Sequence, residues 1–145
     1  MSLFSLLSVS ASGMAAQRKR AELLVENMAN EETTRTPEGG PYRRKDAVFQ
    51  TEQQVSPFSS VFQSALNGGV SGVKVSEVIE DMRAPDKRYM PGHPDADPSG
   101  YVSFPHINPA EDMVDLVSTT RSYQGNVAAM TAIKDMIHRS LDIMR

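Results

Sequence analysis

His93, Asp95 and Asp97 are the residues of this chain whose types and spacing come closest to a site for chemistry. One imidazole and two carboxylates can bind a divalent cation, but all three lie in a short proline-rich loop, so a complete coordination shell needs ligands from elsewhere. The sequence offers no obvious residues for that purpose. Aspartate in such loops also caps backbone amides in tight turns. We therefore predict turn formation for both aspartates, no bound metal and no cofactor.

Familiar catalytic motifs are missing as well. The chain contains no cysteine, which excludes disulfides, thiol catalysis and thiolate metal ligands. Glycines precede Lys74, but Val73 stands between the last of them and the lysine, which breaks the spacing of a phosphate-binding loop. No Gly-x-Ser-x-Gly motif occurs, and His106 and His138 have no catalytic partner at a recognisable spacing. The sequence therefore predicts that the protein is not an enzyme.

The charge and hydropathy of the chain argue against nucleic acid or lipid as a partner. The net charge is −3 with the two signs interspersed, so no broad electrostatic attraction to a polyanion arises. No stretch approaches the ~18 consecutive apolar residues that mark a membrane span. The apolar residues near the N-terminus lack a basic flank and are interrupted by serines, which makes a poor signal peptide. We predict no nucleic-acid partner, no membrane span and no cleaved signal.

The longest regular pattern is a heptad-type stripe in the C-terminal segment, residues 108–145. Asn108 can cap a helix and Pro109 suits its first position. A helix over most of this segment would be about 50 Å long, longer than a small domain is wide, so we expect it to need a partner outside a compact core. The stripe alternates steps of three and four residues through Met113, Leu116, Thr120, Tyr123, Val127, Met130, Lys134, Ile137, Leu141 and Met144.

A second stripe of the same kind occupies the N-terminal segment, residues 2–30. Serine, glycine and alanine dominate its first half and would let another helix approach closely, although Gly13 weakens the helix there. We expect residues 14–30 to form the more stable half and the first dozen residues to fray until something packs on them. The stripe runs through Phe4, Leu7, Ala11, Met14, Arg18, Ala21, Val25 and Met28.

The middle of the chain is rich in proline and glycine and predicts short strands rather than long helices. We predict a loop from residue 31, a short strand at 47–50, an amphipathic helix opening at 56–57, an alternating strand between 70 and 82, and edge strands at 87–90 and 101–104. The fold class is mainly α with a small β-rich middle (α+β), the terminal helices pairing as a coiled-coil-like bundle. The predicted regions are 1–32, 33–107 and 108–145.

Five segments together resemble a known family, the bacterial flagellar basal-body rod proteins, and within it the proximal rod subunit of the C type. The resemblance covers nearly the whole chain, and its most specific part is the Tyr-x-Pro-Gly-His-Pro-Asp-Ala-Asp-x-x-Gly-Tyr-Val loop. Gly125 departs from the alanine that is usual in the family. The similar segments are 12–20, 27–33, 42–45, 89–102 and 108–126.

The resemblance implies a structural subunit whose terminal helices pack against neighbouring subunits to build the shaft that transmits torque from motor to hook. It also implies export through the flagellar export apparatus without a cleaved signal, and copies of itself and other rod subunits as partners in the periplasm-spanning rod. The alternative is a soluble monomer with a helical hairpin and a metal- or ligand-binding loop at 85–105. The predicted subunit interface comprises Met14, Ala21, Val25, Met28, Met113, Leu116, Tyr123, Gln124, Asn126, Val127, Met130, Ile137, Leu141 and Met144, and the family-motif loop comprises Tyr89, Pro91, His93, Pro94, Asp95, Asp97, Gly100 and Tyr101.

Overall fold

A computed structural model describes residues 3–52 and 71–143 of the chain. The α+β fold is confirmed: two long helices enclose a middle that consists of two small antiparallel sheets. The predicted helix opening at residues 56–57 lies outside the described residues. In chain order the elements are α1 (Leu3–Ala29), β1 (Lys45–Glu52), β2 (Gly72–Glu80), β3 (Asp86–Tyr89), β4 (Tyr101–Phe104) and α2 (Pro109–Ile143).

The two helices form an antiparallel hairpin within one chain. Gly13 of α1 lies against the side chain of Asn126, and Arg20, farther along α1, pairs with Asp115 near the start of α2 at 3.1 Å. Equal steps along both helices place Leu3 opposite about residue 134, so the last turns of α2 project past the start of α1 by roughly 13 Å. Within the described part of the chain, no helix is apolar enough over a sufficient length to cross a bilayer.

The four strands match the predicted ones closely. β1 pairs with β2 from Lys45↔Glu80 to Glu52↔Gly72, with a register shift between Val48 and Phe49. β3 and β4 form the second sheet. Ser12 fixes β2 to α1: its hydroxyl accepts the amide proton of Val73 at 3.1 Å, and a Cβ added at Gly72 would lie only 2.9 Å from the same oxygen. The serine-rich first half of α1 is therefore packed in this fold and helical from Leu3.

The residues of α2 that face α1 form the seam between the helices. They lie one position before the stripe predicted in the C-terminal segment. On α2 the residues turned toward α1 are Asp112, Thr119 and Ile133, all buried, together with half-buried Asn126. Each directly precedes a predicted stripe residue, and those four stripe residues are exposed: Met113, Thr120, Val127 and Lys134. In the other set of stripe positions, Leu116, Met130 and Ile137 are half-buried at the edge of the seam, and Tyr123 is exposed. The helices thus cover each other only in part.

Candidate functional site

Asn27 joins the end of α1 to the start of β1 and is completely buried. Its side-chain amide donates to the Lys45 carbonyl at 2.9 Å, and its Oδ1 accepts from the Lys45 amide at 2.9 Å. Oδ1 also accepts from the Tyr42 hydroxyl at 3.0 Å. Burial and the nearby Glu26 carboxylate raise the pKa of Tyr42, which keeps this hydroxyl protonated as a donor. The Asn27 side chain therefore makes the two hydrogen bonds to the Lys45 backbone that a neighbouring strand would make.

Asn30 and Thr33 close the C-terminal end of α1. The Asn30 side chain donates to the Glu26 carbonyl at 2.9 Å, and its Oδ1 accepts from the Thr33 hydroxyl at 3.1 Å. The Thr33 carbonyl in turn accepts the Tyr42 amide at 3.0 Å. Asn30 and Thr33, which lie in the similar segment 27–33, therefore turn the chain out of α1 and back toward β1.

The family-motif loop is tied to the loop after α1 through Asp95. One Asp95 oxygen accepts from the Thr34 hydroxyl at 2.8 Å, and the other lies 2.8 Å from an Arg35 nitrogen. His93 Nδ1 accepts the backbone amide of Asp95 at 3.1 Å. The motif thus connects the C-terminal end of α1 to the β3–β4 sheet.

Asp97 has the predicted turn-forming role. Its Oδ1 accepts the backbone amides of Ser99 and Tyr101, each at 2.9 Å. Gly100 adopts a φ of 82°, and a Cβ there would lie 2.8 Å from the Tyr89 ring, so glycine is required. Tyr89 and Tyr101 pack edge to face.

These bonds bear on the alternative function. The polar atoms of His93, Asp95 and Asp97 bond to different groups within this chain. Among residues 3–52 and 71–143, no group of three metal-ligating side chains occurs. In the loop at 85–105 the polar atoms of His93, Asp95 and Asp97 therefore do not converge on one point.

A buried ion pair holds the start of α2 against β1. An Arg44 nitrogen lies 2.9 Å from a carboxylate oxygen of Asp112, which has no solvent exposure. Neither Asp112 oxygen has an aligned hydrogen bond among the described residues. Burial raises the pKa of Asp112, and Arg44 opposes that shift only in part. The pair fixes the position of α2 but leaves its carboxylate poorly solvated.

A cleft of about 280 Å³ opens where α1, β1 and the start of α2 meet. Both apolar and charged side chains line it, and of these Leu23 and Leu24 are buried. It is lined by Arg20, Leu23, Leu24, Lys45, Asp46, Ala47, Phe49 and Asp115. We call this the base cleft.

The hairpin also has an uncovered apolar side, which we call the open face and define by Val25, Met113, Val117 and Val127. These side chains are 52%, 58%, 53% and 41% exposed, respectively. On α2, Asp115 turns toward the base cleft and Met113 lies on the opposite flank. On α1, Val25 lies about 120° beyond Gly13, on the side away from Ser12 and the sheet. Because the helices are antiparallel, both rotations reach the same side of the hairpin.

The residues predicted as a subunit interface divide into three groups. Val25, Met113, Tyr123, Gln124, Val127 and Leu141 are exposed. Met14, Ala21, Met28, Leu116, Asn126, Met130 and Ile137 are half-buried. Met144 lies outside the described residues. The exposed group is available to a neighbour, and the half-buried group borders the intrachain seam.

Sequence reasoning missed four residues that organise this site: Ser12, Asn27, Arg44 and Asp112. All four stand in the segments that carry the family resemblance, which was their available signal. The burial of Asp112 depends on Arg44, which is distant in sequence.

Comparisons with known proteins agree on one family. The family model for the flagellar basal body rod FlgEFG protein C-terminal region matches residues 99–143. The chain is 43% identical to the flagellar basal-body rod protein FlgC of Bacillus subtilis, over 99% of both chains. It is 36% identical to the FlgC proteins of Borreliella burgdorferi, over 100% of this chain and 99% of that one, and of Salmonella typhimurium, over 99% and 98%.

Proposed function

Because this chain belongs to the flagellar basal-body rod protein FlgC family, we propose that it assembles through the open face of its terminal helices into the shaft that transmits torque from motor to hook. The chain is a structural subunit of the flagellar basal-body rod. We propose further that it associates with copies of itself and with other rod subunits. No enzymatic step enters it.

The single observation that supports assembly is the apolar open face. Met113 and Val117 lie one turn apart on one flank of α2. Val127 lies farther along the same flank, after two polar positions. Monomeric proteins tolerate scattered exposed apolar residues, whereas several of them on one flank of a long helix are typical of a contact surface. Burying such side chains contributes roughly 1.5–3 kcal/mol for each one fully covered.

The proposal extends to the route that the subunit takes. We infer export through the flagellar export apparatus without a cleaved signal, into a rod that spans the periplasm. Membership of the rod protein family supports this route. Fusion of the chain to a reporter and fractionation of cells with and without that apparatus would test it.

Val127→Asp tests the open face. The side chain is 41% exposed, so the charge stays hydrated in the monomer, and we expect the free energy of unfolding to change by less than about 0.5 kcal/mol. In the rod the carboxylate would be buried without a partner, and motility should be lost. The measurements are thermal unfolding of the purified protein and swimming of cells that carry the variant.

Ala132→Asp is the matched control. Ala132 is also exposed on α2 but lies about 140° round the helix from Val127, on the outward side. Cells with this variant should swim. Normal swimming with Val127→Asp would remove the open face from the assembly contacts.

A further inference from the structure

The helix α2 turns polar residues toward α1 although an apolar set lies one position farther along. Asp112 and Thr119 are buried in the seam, at 0% and 1% exposure, and Asn126 is half-buried there. A rotation of α2 by one residue, about 100°, would turn Met113 and Val127 toward α1 instead. These two side chains are 58% and 41% exposed. Burial of apolar surface alone therefore favours the other rotation.

The observed rotation has further costs. Of the four seam positions on α2, only Ile133 carries a large apolar side chain. The other rotation would replace it with Lys134, whose long side chain can extend to water. The hydroxyl of Thr119 and the side-chain oxygen of Gln17 are buried and have no hydrogen-bond partner among the described residues. Unpaired polar groups of this kind destabilise a fold, so specific contacts must offset them.

The first such contact is the ion pair between Arg44 and Asp112. Their nearest nitrogen and oxygen atoms are 2.9 Å apart. Arg44 directly precedes Lys45, and the Asn27 side chain of α1 bonds to both backbone groups of Lys45. The end of α1 therefore fixes the position of Arg44, and Arg44 fixes which side of α2 turns inward.

The second contact is the fit of Asn126 against Gly13, the one glycine of α1. A Cβ at Gly13 would lie 3.1 Å from both polar atoms of the Asn126 side chain, so a larger residue would crowd it. The Asn126 amide donates to the Ser122 carbonyl of its own helix at 3.1 Å. The asparagine thus fills the space beside Gly13 without needing a polar partner on α1.

We propose that these two contacts, Arg44 with Asp112 and Gly13 with Asn126, form a rotational lock that keeps the open face exposed in the free chain. Without the lock, α2 turns by about 100° and covers its part of the open face against its own α1. The role in assembly rests on the proposed function, whereas the rotation is a property of the free chain. The polar seam thereby prevents the chain from burying its own contact surface.

The double change Asp112→Ala/Asn126→Ala removes the lock, and engineered cysteines report the rotation because the chain has none of its own. One reporter is Met113→Cys at an exposed position, and the other is Thr119→Cys at a buried one. Their rates of reaction with a maleimide are measured on the purified chain with and without the lock. We expect loss of the lock to slow Met113→Cys roughly tenfold and to speed Thr119→Cys roughly tenfold.

The opposite directions distinguish rotation from loosening, because a partly unfolded chain would expose both thiols and speed both reactions. Glu111→Ala/Gln124→Ala is the control, since both residues are exposed on α2, and it should leave both rates unchanged. If circular dichroism shows that the lock variant is unfolded, Asn126→Ala alone replaces it. The same two changes in rate are then expected.

The outcomes separate this inference from the proposed function. An unchanged or faster reaction of Met113→Cys in a folded lock variant overturns the rotational lock. Entry into basal bodies is measured separately, and the lock variant should enter at a lower level than the control variant. If the thiol rates change as expected but the lock variant enters at the control level, the lock stands and the open face is not the assembly surface.

Discussion

Asn27 shows how a single side chain can take the place of a strand. Its amide and carbonyl groups bond to both backbone groups of Lys45, so β1 begins against the end of α1. A buried polar group costs free energy unless its bonds are made, and here a third bond from Tyr42 completes the set. Asparagine is therefore needed at position 27 because its side chain bonds to three groups. These are the amide and carbonyl of Lys45, 18 positions later, and the Tyr42 hydroxyl.

Asp112 predicts a pH dependence of stability. Burial raises the pKa of its carboxyl in the folded state above the unfolded value of 3.8. The folded state therefore binds the proton more tightly, and this contribution to stability is complete below the unfolded pKa and is lost as pH rises through the folded pKa. The free energy of unfolding should fall by up to about 1.4 kcal/mol per pH unit in that window.

Asp112→Asn should abolish this decline of the free energy of unfolding with pH. It should also change that free energy at every pH, since Arg44 loses its buried partner. Asp46→Asn is the control, because Asp46 also lies near Arg44 but is exposed. This variant should keep the decline, over a narrower pH range, since the Asp46 charge also raises the pKa of Asp112. Urea unfolding at several pH values measures the slopes. Equal slopes for wild type and Asp112→Asn would show that another group is responsible.

Among the elements, the strands were predictable and the phase of the helix pairing was not. Alternating β-branched residues and flanking prolines marked β2, β3 and β4 locally, and each lies within two residues of its predicted bounds. The stripe on α2 was chosen because Met113 and Val127 are apolar, whereas the chain buries Asp112 and Thr119 beside them. Arg44 and the approach of α1 select that phase, and both depend on distant parts of the sequence. The family resemblance could identify the subunit but could not reveal the base cleft.

The two glycines of the long helices differ in what surrounds them, because Gly13 lies against α2 whereas Gly125 is exposed, and this predicts opposite effects. Nothing lies within 4 Å of a Cβ added at Gly125, so Gly125→Ala should raise the free energy of unfolding by about 0.5–1 kcal/mol through helix propensity. A Cβ at Gly13 would lie 3.1 Å from both Asn126 side-chain polar atoms, so Gly13→Ala should gain less or lose stability. Denaturant unfolding measures both. Adding Asn126→Ala should restore the gain at position 13, and an equal effect of both alanines in the wild-type background would contradict the close approach.

At the scale of the whole molecule, the end of α2 projects past the start of α1. A variant there tests the proposed assembly separately from the stability of the monomer. Leu141 is 53% exposed and lies beyond the start of α1, so a charge there stays in water in the monomer. We expect Leu141→Asp to leave thermal unfolding of the purified chain unchanged and to stop incorporation into basal bodies, because in the proposed assembly a neighbour covers these turns. Ile133→Asp is the contrasting change: Ile133 is only 7% exposed, and an unpaired charge in the seam should lower the free energy of unfolding by several kcal/mol. Leu141→Met should behave as wild type in both measurements. Loss of monomer stability with Leu141→Asp would mean that the end of α2 packs on its own chain, and normal incorporation would mean that no neighbour covers it.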